Sequence, residues 1–206
     1  MQIQFHASRK NLNTLLNLKN YIIMDLEYMS PDGNNTNTKI VNISAKYFKD
    51  GIVKKSYTMW KAHQSSNEKS LTKLMTRLEM LPIGIDDVKS ENGKEYEEMF
   101  QGFFNWLKSN SLLRTAIIGW GTGTDVVKLD QHFENSDFNT GEIENMFLYD
   151  LQREFANRIG IAGMSLDSAM KLFGVKGSNE HLGENDVIEI NEIKTVMSKF
   201  IEEYGV

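Results

Sequence analysis

Cysteine is absent from all 206 residues. Without a thiol there is no disulfide framework and no thiolate zinc site, so any metal must be held by oxygen or imidazole ligands, and hard cations become the default. The chain also has no apolar run of the roughly 18 residues that a bilayer-spanning helix needs. Its opening stretch, MQIQFHASRKNLNTLLNLKN, lacks the basic-then-apolar order of a secretory signal. A cytoplasmic protein is expected. Basic residues are not in excess either: 23 Lys and Arg against 28 Asp and Glu give a net charge of -5. Domains that grip nucleic acid by electrostatics alone are usually basic. An enzyme whose metal ions neutralise an acidic site is not excluded by that balance. Internal repeats and low-complexity tracts are missing as well.

What is present suits one compact domain, since 40% of the residues are apolar. Tyr21 to Tyr28 (YIIMDLEY) opens with residues apolar on both faces, as a buried central strand requires. A surface loop from Pro31 to Thr38 separates it from two further strands, around Ile40 to Phe48 and Ile52 to Trp60. Lys49, Asp50 and Gly51 between those two read as a hairpin turn. Helical spacing follows at Tyr96, Met99, Phe100, Phe103, Phe104 and Leu107, then a short strand, Thr115 to Trp120. Val126, Leu129 and Phe133 predict another helix, and Leu148, Leu151, Phe155 and Ile159 a further one. Ser165 and Gly174 bracket a helix as N-cap and C-terminal stop, and a last helix runs from about Asp186 to Glu203. Strands first, then helices alternating with at least one more strand, predict a mixed α/β sheet with helices packed on it.

Several acidic residues stand where apolar ones are expected. Asp25 and Glu27 are two apart on a strand, so their side chains leave the same face. Two adjacent buried carboxylates are costly unless a cation lies between them, one is protonated, or the strand ends at Met24 and leaves both solvated. Asp186 heads the stripe Ile190, Ile193, Met197 and Phe200 of the last helix, where it also suits the helix dipole. Asp125 follows the TAIIGW strand and the GTGT turn at a helix start, a position that an N-cap acid also fills. That turn completes neither the dinucleotide fingerprint nor a P-loop. His181 lies five residues before Asp186, between Gly177 and Gly183.

In order and context these residues resemble the DEDDh family of 3′-to-5′ exonucleases, of the ribonuclease H-like superfamily. The resemblance is carried by Asp25 and Glu27 in IIMDLEYM, Asp125 in IIGWGTGTDVVKL, and His181 with Asp186 in EHLGENDVIEINEI. SLDSAMKLFG and LPIGIDDV are similar to connecting segments of that family, and Trp120-Gly121 before Asp125 is most like the branch of histone-mRNA and small-RNA 3′ exonucleases and their bacterial relatives. The resemblance implies a ribonuclease H-like mixed β-sheet flanked by α-helices, over a domain from 20 to 206. Residues 1–19 are left as an N-terminal extension of unassigned role.

By the same resemblance the cofactors are two Mg²⁺ or Mn²⁺ ions and the partner is the 3′ end of single-stranded RNA or DNA, with RNA slightly favoured. Asp25 would bridge both ions, Glu27 and Asp186 complete one site, Asp125 serve the other largely through water, and His181 act as general base. Leu26 and Tyr28 would contact the terminal nucleotide. A proofreading-type DNA exonuclease shares every one of these residues. A scaffold protein that keeps the fold without activity usually lacks metal ligands, whereas here all are present. Lys46, Lys49, Lys54 and Lys55 on the hairpin fit either phosphate contacts or a solvated sheet edge.

Overall fold

A computed structural model describes residues 2–29, 39–60, 96–134, 143–177 and 183–204. The strands are β1 (Gln2–Ser8), β2 (Asn20–Met29), β3 (Lys39–Lys49), β4 (Ile52–Trp60), β5 (Ile117–Gly119) and β6 (Ile143–Asp150). The helices are α1 (Leu12–Leu16), α2 (Tyr96–Ser109), α3 (Gly123–Glu134), α4 (Leu151–Ile159), α5 (Leu166–Phe173) and α6 (Gly183–Tyr204). The six strands form one mixed sheet in the order β1-β6-β5-β2-β3-β4. β1, β6, β5 and β2 run parallel, while β2, β3 and β4 are antiparallel neighbours.

Side-chain alternation on β2 divides the interior into two layers. Ile22, Met24 and Leu26 face a core built with Met99, Phe100, Phe103 and Leu107 of α2 and Val126 and Leu129 of α3. Tyr21 and Ile23 face the opposite core, with Leu151 and Phe155 of α4, Met170 of α5, and Val187, Ile190, Ile193 and Met197 of α6. Asp25 and Glu27 continue the second series, so they point to the α6 side. The hairpin turns at Asp50 and Gly51, both with positive φ (52° and 76°), as a tight two-residue connection demands.

Three expectations change. Leu148 does not belong to a helix: it lies in β6, buried at 1% exposure, and α4 begins only after Asp150, whose side chain caps it by accepting from the Arg153 amide. The spacing of Leu148, Leu151 and Phe155 mimics a helix because an inward strand residue happens to precede a helix's own apolar face. The stripe of α6 does not reach Phe200, which is 42% exposed. The 22-residue helix outruns the sheet, and there the Phe200 ring packs near Phe173 and Tyr204 instead. Finally, residues set apart as an extension carry β1, which pairs in register with β6 from Gln2↔Ile143 to Ser8↔Tyr149. β4, bearing Lys54 and Lys55, is the other edge of the sheet. The loop from Pro31 to Thr38 and the LPIGIDDV segment lie outside the described residues.

Candidate metal centre

Parallel β2 and β5 are neighbours, and the chain leaves the carboxyl end of each on the same edge of the sheet, where α/β proteins characteristically bind ligands. From β2, just past the level at which β5 stops, come Asp25 and Glu27. β5 ends at Gly119, and the following turn delivers Asp125 in the first turn of α3. That turn is fixed on both sides. Gly121 adopts a left-handed φ of 74° and donates its N–H to Asp150 Oδ1 at 3.0 Å. The Trp120 indole donates to the Met164 carbonyl at 3.1 Å.

α6 supplies the remaining acid. Its buried residues Val187, Ile190 and Ile193 seat the helix on the sheet, and Asp186 in its first turn is thereby carried over β2. Asp25, Glu27 and Asp186, all half-buried, present carboxylate oxygens that lie within 4.8 Å of one another. Oδ1 of Asp186 is enclosed, and among the described residues no hydrogen-bond donor is placed against that atom. Three oxygen-only donors at this spacing fit a hard divalent cation, and no thiolate or imidazole competes within the triplet.

Asp125 stands outside that triplet but within its field. Burial, first, and then the charges of Glu27, Asp186 and Asp125 hold the Asp25 carboxyl well above the usual carboxylate range. Asp125 itself is pushed up to about 6, chiefly by burial and further by Asp150, against the lowering effect of a hydrogen bond from the Tyr28 hydroxyl. Burial and the nearby charge of Asp125 raise the Tyr28 hydroxyl in turn, so it stays protonated and remains a donor.

The structure thus brings together Asp25, Glu27 and Asp186, with Asp125 adjacent. His181 lies outside the described residues. Leu26 is 5% exposed with its side chain in the α2 core, which leaves only its backbone for a ligand. The Tyr28 hydroxyl is engaged with Asp125. Residues not singled out in the sequence also shape the site. Asp150 holds the turn before Asp125, and Asn42 and Ser44 lie directly across the ladder from Glu27 and Asp25. The signal for the latter pair was the alternation VNISA, with polar residues in the series that shares a face with the two acids.

No protein-family model and no curated protein sequence matches the chain. Solved structures do. The nuclease domain of 3′hExo, a DEDDh family member, bound to rAMP, superposes with a TM-score of 0.66 at 11% identity, over 91% of this chain and 94% of that one. S. pombe Pop2p in its Mg²⁺- and Mn²⁺-bound form gives 0.66 at 14% identity, over 100% and 94%. Exonuclease I gives 0.60 at 12% identity, and this chain covers 88% of itself but 41% of that longer protein. With a six-stranded mixed sheet flanked by helices, the chain has the ribonuclease H-like fold of the DEDDh 3′ exonucleases.

Proposed function

We propose that this protein is a divalent-metal-dependent 3′-to-5′ exonuclease that hydrolyses phosphodiester bonds at the 3′ end of single-stranded nucleic acid, RNA in preference to DNA, in the cytoplasm. The observation that carries the proposal is that Asp186, distant in sequence, converges with Asp25 and Glu27 of β2 to within 4.8 Å. Like charges gathered on a buried strand are costly, and a divalent ion held between them relieves that cost. Two ions, Mg²⁺ or Mn²⁺, would activate the attacking water and stabilise charge on the phosphoryl and leaving oxygens. Asp25 would be shared between them, Glu27 and Asp186 would complete one ligand set, and Asp125 would serve the second through water. The bound ions of Pop2p and the rAMP of 3′hExo support this choice of cofactor and substrate.

The protein's own groups supply the rest. The Tyr28 hydroxyl orients Asp125 by donating to it, and the backbone at Leu26, which also hydrogen-bonds the Asp25 carboxyl, would meet the terminal nucleotide. His181 would take a proton from the attacking water, a task suited to an imidazole with a pKa near 6.5. His181→Ala is expected to keep metal binding, measured by calorimetry, and to lose roughly 10²-fold in rate. Strong loss of metal affinity with little loss of rate at saturating metal would make it a ligand instead.

The direct test uses 5′-labelled single-stranded RNA and DNA of one sequence with Mg²⁺ or Mn²⁺. Stepwise shortening from the 3′ end with release of mononucleotides, stopped by EDTA and faster on RNA, is the expected result. The absence of metal-dependent release from either substrate overturns the proposal.

A further inference from the structure

Gly183 opens α6 and lies one turn ahead of Asp186. Residues three and four apart share a helix face, and Val187 and Ile190 of the same stripe are buried. Gly183 is therefore on the side that meets the sheet, and it is itself buried. Beneath it is β3, where Ser44 pairs with Asp25 and Asn42 with Glu27. Side chains of directly paired residues leave the same face of a sheet. Asn42 and Ser44 accordingly stand beside the two acids, under the first turn of the helix.

Both are enclosed, at 0% and 1% exposure. Their polar atoms are paired: Ser44 Oγ donates to Asn42 Oδ1 at 2.8 Å, and Asn42 Nδ2 donates to the Met59 carbonyl at 3.1 Å. The Asn42 amide is thus held at both ends. A methyl group added at Gly183 would lie 2.7 Å from Asn42 Oδ1, 3.0 Å from Ser44 Oγ and 3.1 Å from Ser44 Cβ, where ordinary contact begins at 3.4 Å. Asn42 cannot retreat without abandoning hydrogen bonds in a buried place. The start of the helix must move instead, by several tenths of an ångström, and Asp186 moves with it.

Such a shift matters unequally to different ions. Magnesium requires near-ideal octahedral geometry at about 2.0–2.1 Å, whereas calcium accepts irregular shells at about 2.3–2.6 Å. We propose that Gly183, seated on the Asn42–Ser44 pair, is a spacer that sets the distance of Asp186 from Asp25 and Glu27, and with it the preference of the site for a small divalent cation. Gly183 is a positioning residue, acting on the ligand set through Asp186. The inference rests on the metal-site reading above.

The test compares Gly183→Ala, Asn42→Ala and the double variant with wild type by calorimetric titration of Mg²⁺ and Ca²⁺, alongside thermal melts. Gly183→Ala is expected to weaken Mg²⁺ binding roughly tenfold or more, within the range found for groups that orient metal ligands, while Ca²⁺ affinity changes by less than about threefold. In the Asn42→Ala background the same glycine substitution should weaken Mg²⁺ by less than about threefold, because the nearest obstructing oxygen is gone and the Ser44 hydroxyl, released from its bond to Asn42, can turn aside. Unchanged Mg²⁺ binding in Gly183→Ala, equal losses for both ions, or an undiminished penalty in the double variant would overturn the spacer. Should Gly183→Ala alone fail to melt cooperatively, recovery of cooperative melting in the double variant supports the spacer and its failure overturns it. Wild-type protein that binds neither ion would fail at an earlier step, by removing the metal site itself.

Discussion

Two places on α6, its first turn at Asp186 and its middle at Lys194, both bury charge against β2, and they do so in opposite ways. Lys194 is 5% exposed, yet its ammonium is matched: Nζ donates to the carbonyls of Leu16 at 2.7 Å and Leu18 at 3.4 Å, and lies 4.2 Å from the centroid of the Tyr21 ring. The Leu16 carbonyl is the last of α1, where acceptors have no helical donor, and Leu18 lies just past the Asn17 C-cap. About two turns earlier on the same helix, Asp186 meets two further carboxylates. The middle of the helix carries a cation surrounded by oxygen and π density. Its first turn gathers anions that raise one another's cost. Buried charge alone therefore says little about function: burial, with Lys19 nearby, lowers the Lys194 ammonium to about 8, yet its carbonyl and ring partners hold it and tie the N-terminal segment to the last helix. Convergence of like charge is what calls for a ligand.

The largest way to break this contrast is to remove the charge shared by the proposed ions. Asp25→Asn keeps the shape of the side chain, so the fold should persist, while activity should fall by more than about 10²-fold through loss of transition-state charge stabilisation. A variant that retained more than about a tenth of wild-type kcat would put the chemistry elsewhere.

In the middle of the helix, Lys194→Met replaces the ammonium with an apolar group of similar length and removes the donor to the Leu16 and Leu18 carbonyls. A loss of about 1–3 kcal/mol in denaturant unfolding is expected, with the metal-induced shift in Tm unchanged. Wild-type stability in this variant, or a lost response to metal, would erase the distinction between the two places.

A smaller effect should appear with pH. Asp125 has a folded pKa raised from 3.8 to about 6, and Asp25 is raised as well. In this range the native state binds more protons than the unfolded chain, so the stabilising contribution is fully present below pH 3.8 and is lost as pH rises through about 6. Metal-free protein should lose roughly a few degrees in Tm across that window, and saturating Mn²⁺ should abolish the fall. A flat or rising profile in EDTA would contradict the crowding of carboxylates.

Much of this architecture was legible because it is local. Tyr21 to Tyr28 reads as a buried strand, Asp50-Gly51 as a tight turn, and Ser165 and Gly174 as helix ends, because each signal lies within a few residues of its effect. β1 and β6 were not legible. In IENMFLYD only alternate residues such as Met146 and Leu148 face the core, and the helical face of α4 follows without a break, so the helical period overran the junction at Asp150. α1, with five residues, is too short to show a period at all. The acids were individually ambiguous, since Asp125 and Asp186 both serve equally well as helix-start residues. Only the pairing of β2 with β5 and the seating of α6 on β2 and β3 brings them toward Asp25. The Gly183 contact depends on register across β3, which no local pattern encodes.

The central claim is that the carboxylates converge at a cost that a divalent ion relieves. Its most direct test is a set of thermal melts of wild type and Asp186→Asn, each in EDTA and in millimolar Mn²⁺. Ions that bind the native but not the unfolded chain stabilise by RT ln(1 + [L]/Kd), so wild-type Tm should rise with Mn²⁺ concentration. Asp186→Asn should melt higher than wild type in EDTA, having lost one repelling charge, and should respond less to Mn²⁺. A wild-type protein indifferent to metal, with Asp186→Asn destabilised under both conditions, would mean that Asp186 is an ordinary helix-start acid and that the convergence holds no ion.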